Sequence, residues 1–379
     1  MLLVEKNTRS GLPERIVSLD VFRGITIAAM ILVDHPGSWY EVYPPLRHAD
    51  WNGCNLADLV FPFFLFIVGV AIPLSLQGRI SEGDRQGKIL LQVLRRTIIL
   101  FLLGLLLNAF PVPHSLSAIR FGGVLQRIGL CYLFASLIFL RTGVRGQAGA
   151  TVALLAGYWL LMKFVPVPDY GAGVLEKEGN LAAYLDNLLM PGRLYEGRWD
   201  PEGLLTTLPA IATTLLGVLT SQGLRSPVSQ RAKSLGLLVS GTVFVLAGQL
   251  MNKGFPINKN LWTSSYVVFT GGIALLCLGV CTWVVDVKHY RRWAKPFMVL
   301  GMNAIVVYVL SDLGGQILDI LELTQPDGTP VTLRTFLYER LFASWAGRLE
   351  GSLLFAVTYL LLWLGPMGLL YRKRIFIRV

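Results

Sequence analysis

Charged side chains are scarce in this chain: Asp, Glu, Lys and Arg together make up 15% of it. A soluble globular domain carries about 25%. With 54% hydrophobic residues and a mean hydropathy of +0.57, that deficit excludes an ordinary water-soluble fold. Cysteine and histidine are equally sparse, at four residues each. Cys54, Cys131, Cys277 and Cys281 form no CxxC pair and no disulfide framework. Cys277 and Cys281 share a helix face and read as small apolar packing residues, so no metal site is expected. No cleavable leader is expected either. The first apolar run begins near Ile16, already holds Asp20 and Arg23, and lacks a small-residue cleavage site. Internal repeats and low-complexity tracts are missing as well.

What the sequence has in abundance is long apolar blocks, at 57–77, 98–110, 124–140 and 266–285. A bilayer core about 30 Å thick needs about 20 mostly apolar residues per spanning helix. The expected fold is all-α, a polytopic membrane helix bundle. Ten spans are predicted, at 16–35, 56–77, 89–109, 120–140, 148–165, 203–221, 233–250, 262–285, 297–318 and 352–371. The apolar stretch 333–346 is broken by Arg334, Glu339 and Arg340 and reads as an interfacial or re-entrant helix. The chain divides into a cytoplasmic segment 1–15, one transmembrane domain 16–371 and a basic cytoplasmic tail 372–379.

Lys and Arg concentrate in one set of loops, around Arg79–Lys88, Arg141–Arg145, Arg225–Lys233 and Lys288–Lys295, and in the tail. By the positive-inside rule these face the cytoplasm. Both termini are then inside, and loops 36–56 and 166–202 face outward. The net charge of +11 is read as cytoplasmic loops and not as nucleic-acid binding. A homodimer is compatible with the pattern.

Ionisable groups at bilayer depth cost roughly 2.5–3.5 kcal/mol each, so each is a functional candidate. Asp20 and Arg23 can pair on one helix face. Arg95 and Arg96 either snorkel to the interface or bind an anionic cofactor. Gln126 and Arg127 are too deep to snorkel easily and are expected to line a polar cavity. Asn303 either joins them or makes a helix–helix hydrogen bond. The densest polar cluster lies between the first two spans: Asp34, His35, Trp39, Arg47, His48, Asp50, Trp51, Asn52, Asn55 and Asp58. It reads as an interface belt or as a site.

Seven segments carry a resemblance: SLDVFRG (18–24), HADWNG (48–53), ADLVFPFFLFIVG (57–69), LQRI (125–128), DPEGLL (200–205), NKNLWTS (258–264) and GMN (301–303). Over about residues 15–375 the chain resembles the transmembrane acyltransferases typified by heparan-α-glucosaminide N-acetyltransferase, in their bacterial branch. HADWNG with ADLVFPFF is the specific signature, whereas LDVFRG also resembles the wider membrane O-acyltransferases. The resemblance implies transfer of acetyl from cytosolic acetyl-CoA to an amino sugar on the far side of a bacterial inner membrane. It places the catalytic histidine on His48. At Asp34 the chain departs from the lysosomal member, which carries Asn, and His35 lies near the histidine of the wider family. Some bacterial relatives are labelled N-acetylglucosamine transporters, and that function class stays open.

Acyl transfer to an amine needs a base and a stabilised oxyanion. His48 would be the general base or the acyl acceptor. Asp34 or Asp58 would orient its ring, and Asn52 and the Trp51 indole would donate to the oxyanion. Arg95, Arg96, Arg291, Arg292 and Lys295 are the candidates for the phosphates of CoA, with Arg127 counted among the cofactor contacts. Trp51, Gln126, Asn258, Asn260, Trp262 and Asn303 are the candidates for the acceptor sugar. A transporter would use the same cavity without chemistry and would favour inverted repeats and broken helices.

Overall fold

The computed structural model describes residues 16–81, 83–111, 115–325 and 328–377. The proposed 1–15 segment therefore lies outside the described residues. The long helices are α1 (Val17–Asp34), α2 (Val60–Ser81), α3 (Gln86–Asn108), α4 (Val124–Arg141) and α5 (Val144–Phe164). After a short α6 (Leu181–Leu189) come α7 (Thr207–Leu224), α8 (Gln230–Met251) and α9 (Ser264–Cys281), which continues through a π-helical segment, Thr282–Val287. The rest is α10 (Lys295–Met302), α11 (Ala304–Ile320), α12 (Leu333–Tyr338), the short α13 (Ser344–Ala346) and α14 (Arg348–Arg372). Two small hairpins, β1 (Pro166–Val167) with β2 (Gly171–Ala172) and β3 (Glu322–Thr324) with β4 (Pro330–Thr332), are antiparallel and lie in connections.

The protein is an all-α bundle of membrane type. Seven helices are long and apolar enough to cross a bilayer, or eight if α10 and α11 count as one broken span. Helices α1 and α5 fall where spans were expected but outside that set. Asp20, Arg23 and Asp34 interrupt α1, and α5 opens on the polar run VRGQAGAT. The predicted single span 297–318 is corrected: α10 and α11 meet at an 84° bend, with Asn303 between them. Segment 333–346 is helical as expected, with a π-helical stretch, Glu339–Ala343, joining α12 to α13.

Apolar stripes face outward. On α8, Leu235, Val239, Val243, Leu246 and Leu250 recur at helical spacing and are all exposed, which suits lipid and not water. Inside, small residues bring backbones together, as membrane helices require. A Cβ on Gly69 would lie 1.9 Å from the Thr214 carbonyl oxygen, and one on Gly217 would lie 2.0 Å from that of Phe66, so α2 and α7 touch backbone to backbone. Gly24 and Gly301 do the same for α1 and α10, which explains glycines in two of the motifs.

The connections 35–57, 165–206 and 252–263 meet at one end of the bundle. Gly53 N–H donates to the Ile257 carbonyl at 2.7 Å, and the Trp51 indole N–H donates to the Leu175 carbonyl at 2.8 Å.

Candidate active site

The site is built on the turn that opens α2. Asp58 lies in a 3-10 turn, Ala57–Leu59, and is buried. Its Oδ2 accepts the backbone N–H groups of Ala49 (3.1 Å) and Asn55 (2.9 Å). Its Oδ1 meets His48 Nδ1 at 2.7 Å. The ten-residue interval from His48 to Asp58 is thus a clasp: one carboxylate holds the HADWNG loop and the imidazole together. A carboxylate on Nδ1 fixes that nitrogen as the N–H donor, which leaves Nε2 with the lone pair. His48 is 46% exposed and Asp58 1%, so the imidazole is open to solvent while its carboxylate partner stays dry.

A second element closes over the pair. Asn258 is buried; its Nδ2 donates to Asn52 Oδ1 at 3.2 Å and its Oδ1 accepts Leu261 N–H at 2.8 Å. This turn delivers Lys259, whose Nζ lies 3.1 Å from His48 Nδ1, 3.3 Å from Nε2 and 3.6 Å from Asp58 Oδ1. Asp34, at the end of α1, lies within electrostatic reach of His48, Lys259 and Asp312 of α11.

Several expected ligands have other partners. The Trp51 N–H is taken by Leu175, and its ring meets Trp199 at 5.3 Å, so it pins the long loop instead of donating to an oxyanion. Trp262 is 1% exposed, donates to Thr213 Oγ1 at 3.1 Å and packs on Phe61 and Tyr266; it is a core ring with no open face for a sugar. Asn258 shapes the turn, while Asn52 is exposed and Asn260 half-buried beside it. Asn303 is buried and bonds the tail through both amide ends, to the Ile375 carbonyl and Ile377 N–H.

Gln126 and Arg127, expected to line a polar cavity, are both buried, and Arg127 lies beside the 165–206 connection. Its Nη2 donates to the Gly203 carbonyl and Thr206 Oγ1, and its guanidinium lies 5.1 Å from the Trp262 ring centroid. Arg95 is exposed on α3, and Arg96 lies over Tyr132 at 4.6 Å with a buried Nε that has no partner among the described residues. That orphan donor fits a phosphate oxygen. Arg291, Arg292 and Lys295 are exposed before and at the start of α10, a helix that packs on α1 while α3 packs chiefly on α4. The CoA candidates therefore form two separate sets.

His35 is buried and packs on Tyr359, with ring centroids 4.8 Å apart, away from the Asp58 clasp. Lys259 is not among the residues that the sequence marks, although it lies between the candidates Asn258 and Asn260. Nor is Arg120, which pairs with Asp200 at 2.6 Å and also bonds Glu202. Burial works against the Arg120 charge, but the two carboxylates outweigh it and raise its pKa. No cluster of three metal-ligating groups occurs among the described residues.

The family model described as heparan-alpha-glucosaminide N-acetyltransferase, catalytic, matches residues 15–250. The chain belongs to that family. The human and mouse heparan-alpha-glucosaminide N-acetyltransferases are each 32% identical to it, over 359 and 361 residues, covering 79% and 80% of the chain. The chain spans about half the length of these relatives, 53% and 54%. Within this family member, the His48–Asp58 pair lies inside the matched segment and Lys259 lies beyond it.

Proposed function

We propose that this chain is a transmembrane acetyltransferase that moves acetyl from cytosolic acetyl-CoA to the amine of a glucosamine-like sugar at the extracytoplasmic face of a bacterial inner membrane. The observation that carries this is the His48–Asp58 pair, 2.7 Å apart, in the signature loop of an acetyltransferase family. In direct transfer, His48 Nε2 takes the proton of the acceptor amine as nitrogen bonds to the thioester carbon. The C–S bond then breaks, and the proton passes to the departing thiolate. Asp58 stabilises the imidazolium in between. In the two-step route, Nε2 first takes the acetyl group itself. Arg96, with its buried unpartnered Nε, is the best-placed cation for a CoA phosphate.

The 84° break between α10 and α11 favours a second reading, an amino-sugar transporter. Purified protein given labelled acetyl-CoA and glucosamine separates the two. The acetyltransferase reading expects labelled N-acetylglucosamine, with His48→Ala lowering turnover about 10²–10⁴-fold while CoA still shifts the melting temperature. Sugar uptake that needs no acetyl-CoA and survives His48→Ala would establish the transporter instead.

A further inference from the structure

Asp58 draws the imidazole, two backbone amides and the Lys259 ammonium to one buried carboxylate. Its two oxygens take His48 Nδ1, Ala49 N–H and Asn55 N–H at 2.7, 3.1 and 2.9 Å, whereas the Lys259 ammonium stands off at 3.6 Å. The ion pair with Asp58 seats the ammonium, and its three N–H donors leave capacity for a further acceptor. Its nearly equal distances to the two ring nitrogens, 3.1 and 3.3 Å, put it against the imidazole itself and not in line with one lone pair. The position is built: Asn258 is tied to Asn52 and Leu261, Gly53 holds Ile257, and the Lys259 side chain is only 19% exposed. The ammonium is thus 3.3 Å from the nitrogen at which the acyl chemistry is proposed. The one cation of the 35–57 connection, Arg47, points to the Val42 carbonyl.

We propose that Lys259 is a catalytic residue whose ammonium holds the acyl oxygen of acetyl-CoA as that oxygen becomes an anion. The inference rests on the acyl-CoA reading above. When the acceptor nitrogen, or Nε2 itself, bonds to the thioester carbon, the C=O π pair moves to oxygen, and Lys259 meets the charge. When the pair returns, the C–S bond breaks and sulfur leaves with its electrons. In direct transfer the proton gathered by His48 goes to the thiolate; in the two-step route Nε2 carries the acetyl group, the thiolate takes its proton from water, and the acceptor amine then bonds to the acetyl carbon as the C–Nε2 bond breaks and its proton passes to the freed Nε2. Lys259 keeps its three protons throughout. The role is the same in direct transfer and through an acyl-histidine.

The test uses full-length wild type, Lys259→Met, Lys259→Gln and Lys259→Arg. Carboxymethyl-CoA carries a carboxylate at the acetyl position, its oxygens one bond farther from sulfur than the thioester oxygen and within reach of a flexible lysine side chain, and CoA carries none. Wild type should bind carboxymethyl-CoA about tenfold more tightly than CoA, a charge-assisted contact. Lys259→Met should lose that preference yet bind CoA normally, and Lys259→Arg should keep most of it. In turnover, Lys259→Met should lose about 10²–10³ in kcat, as for an oxyanion-hole donor, with KM for acetyl-CoA little changed. If Lys259→Met fails to fold, Lys259→Gln carries the same comparison. Retention of the preference, or of wild-type kcat, in either neutral variant overturns the assignment. Wild type that binds neither ligand overturns the acyl-CoA reading and this inference with it, an outcome visible before any variant is made.

Discussion

At the residue scale, burial decides which side chains at the loop end can react. The Cys54 thiol sits beside the clasp, but burial, aided by the Asp58 charge, pushes its pKa up to about 12. It therefore stays a thiol near neutral pH and is a poor nucleophile there. Asp186, on α6 in the long loop, is buried with one oxygen bonded to Leu204 N–H, and burial raises its pKa to about 7. A carboxyl whose folded pKa lies above its unfolded value of 3.8 favours folding fully below pH 3.8, and the benefit is lost as pH rises through about 7. Asp186→Asn should therefore raise the melting temperature at pH 8, on the order of 2 °C, and give a smaller gain at pH 5. A melting series across that range checks it; a gain that grows toward acid would contradict burial as the cause of the shift. His48 and Asp58 were legible as candidates because two adjacent motifs, HADWNG and ADLVFPFF, held them. The roles of Trp51 and Trp262 were not, because an indole N–H finds its partner, Leu175 or Thr213 in these two cases, far away in sequence.

At the scale of elements, apolar run length located the helices well, from α2 at the start of ADLVFPFF to α14 near the tail. The break at Asn303 was hidden. Apolar residues flank GMN on both sides, and at the bend the tail returns to bond the Asn303 amide, a contact far away in sequence. Close helix packing gives a sharper test. Gly69 and Gly78 both lie on α2, but a Cβ at Gly69 meets the Thr214 carbonyl oxygen, whereas one at Gly78 meets nothing within 4 Å. Gly69→Ala should cost at least the roughly 1–3 kcal/mol of an overpacked core and reduce the monodisperse protein recovered in detergent. Gly78→Ala should leave the yield unchanged. Equal yields would show that α2 and α7 are not in backbone contact.

At the scale of the molecule, sidedness connects the fold to the chemistry. The basic loops after α2, α4, α7 and α9 lie at one end of the bundle. The His48 clasp lies at the other, where loops 35–57, 165–206 and 252–263 meet. If the basic end is cytoplasmic, acetyl must cross the membrane through the protein. Neither composition nor family membership tells a sided transferase from a one-sided one, because both need the same helices and the same base. Proteoliposomes with uniformly oriented protein make the distinction, with labelled acetyl-CoA supplied only on the side of the tail and glucosamine only on the side of His48. Transfer across the bilayer predicts labelled N-acetylglucosamine in the glucosamine compartment, and almost none with His48→Ala. Product formed only when both substrates share one compartment, or formed equally by His48→Ala, would contradict it.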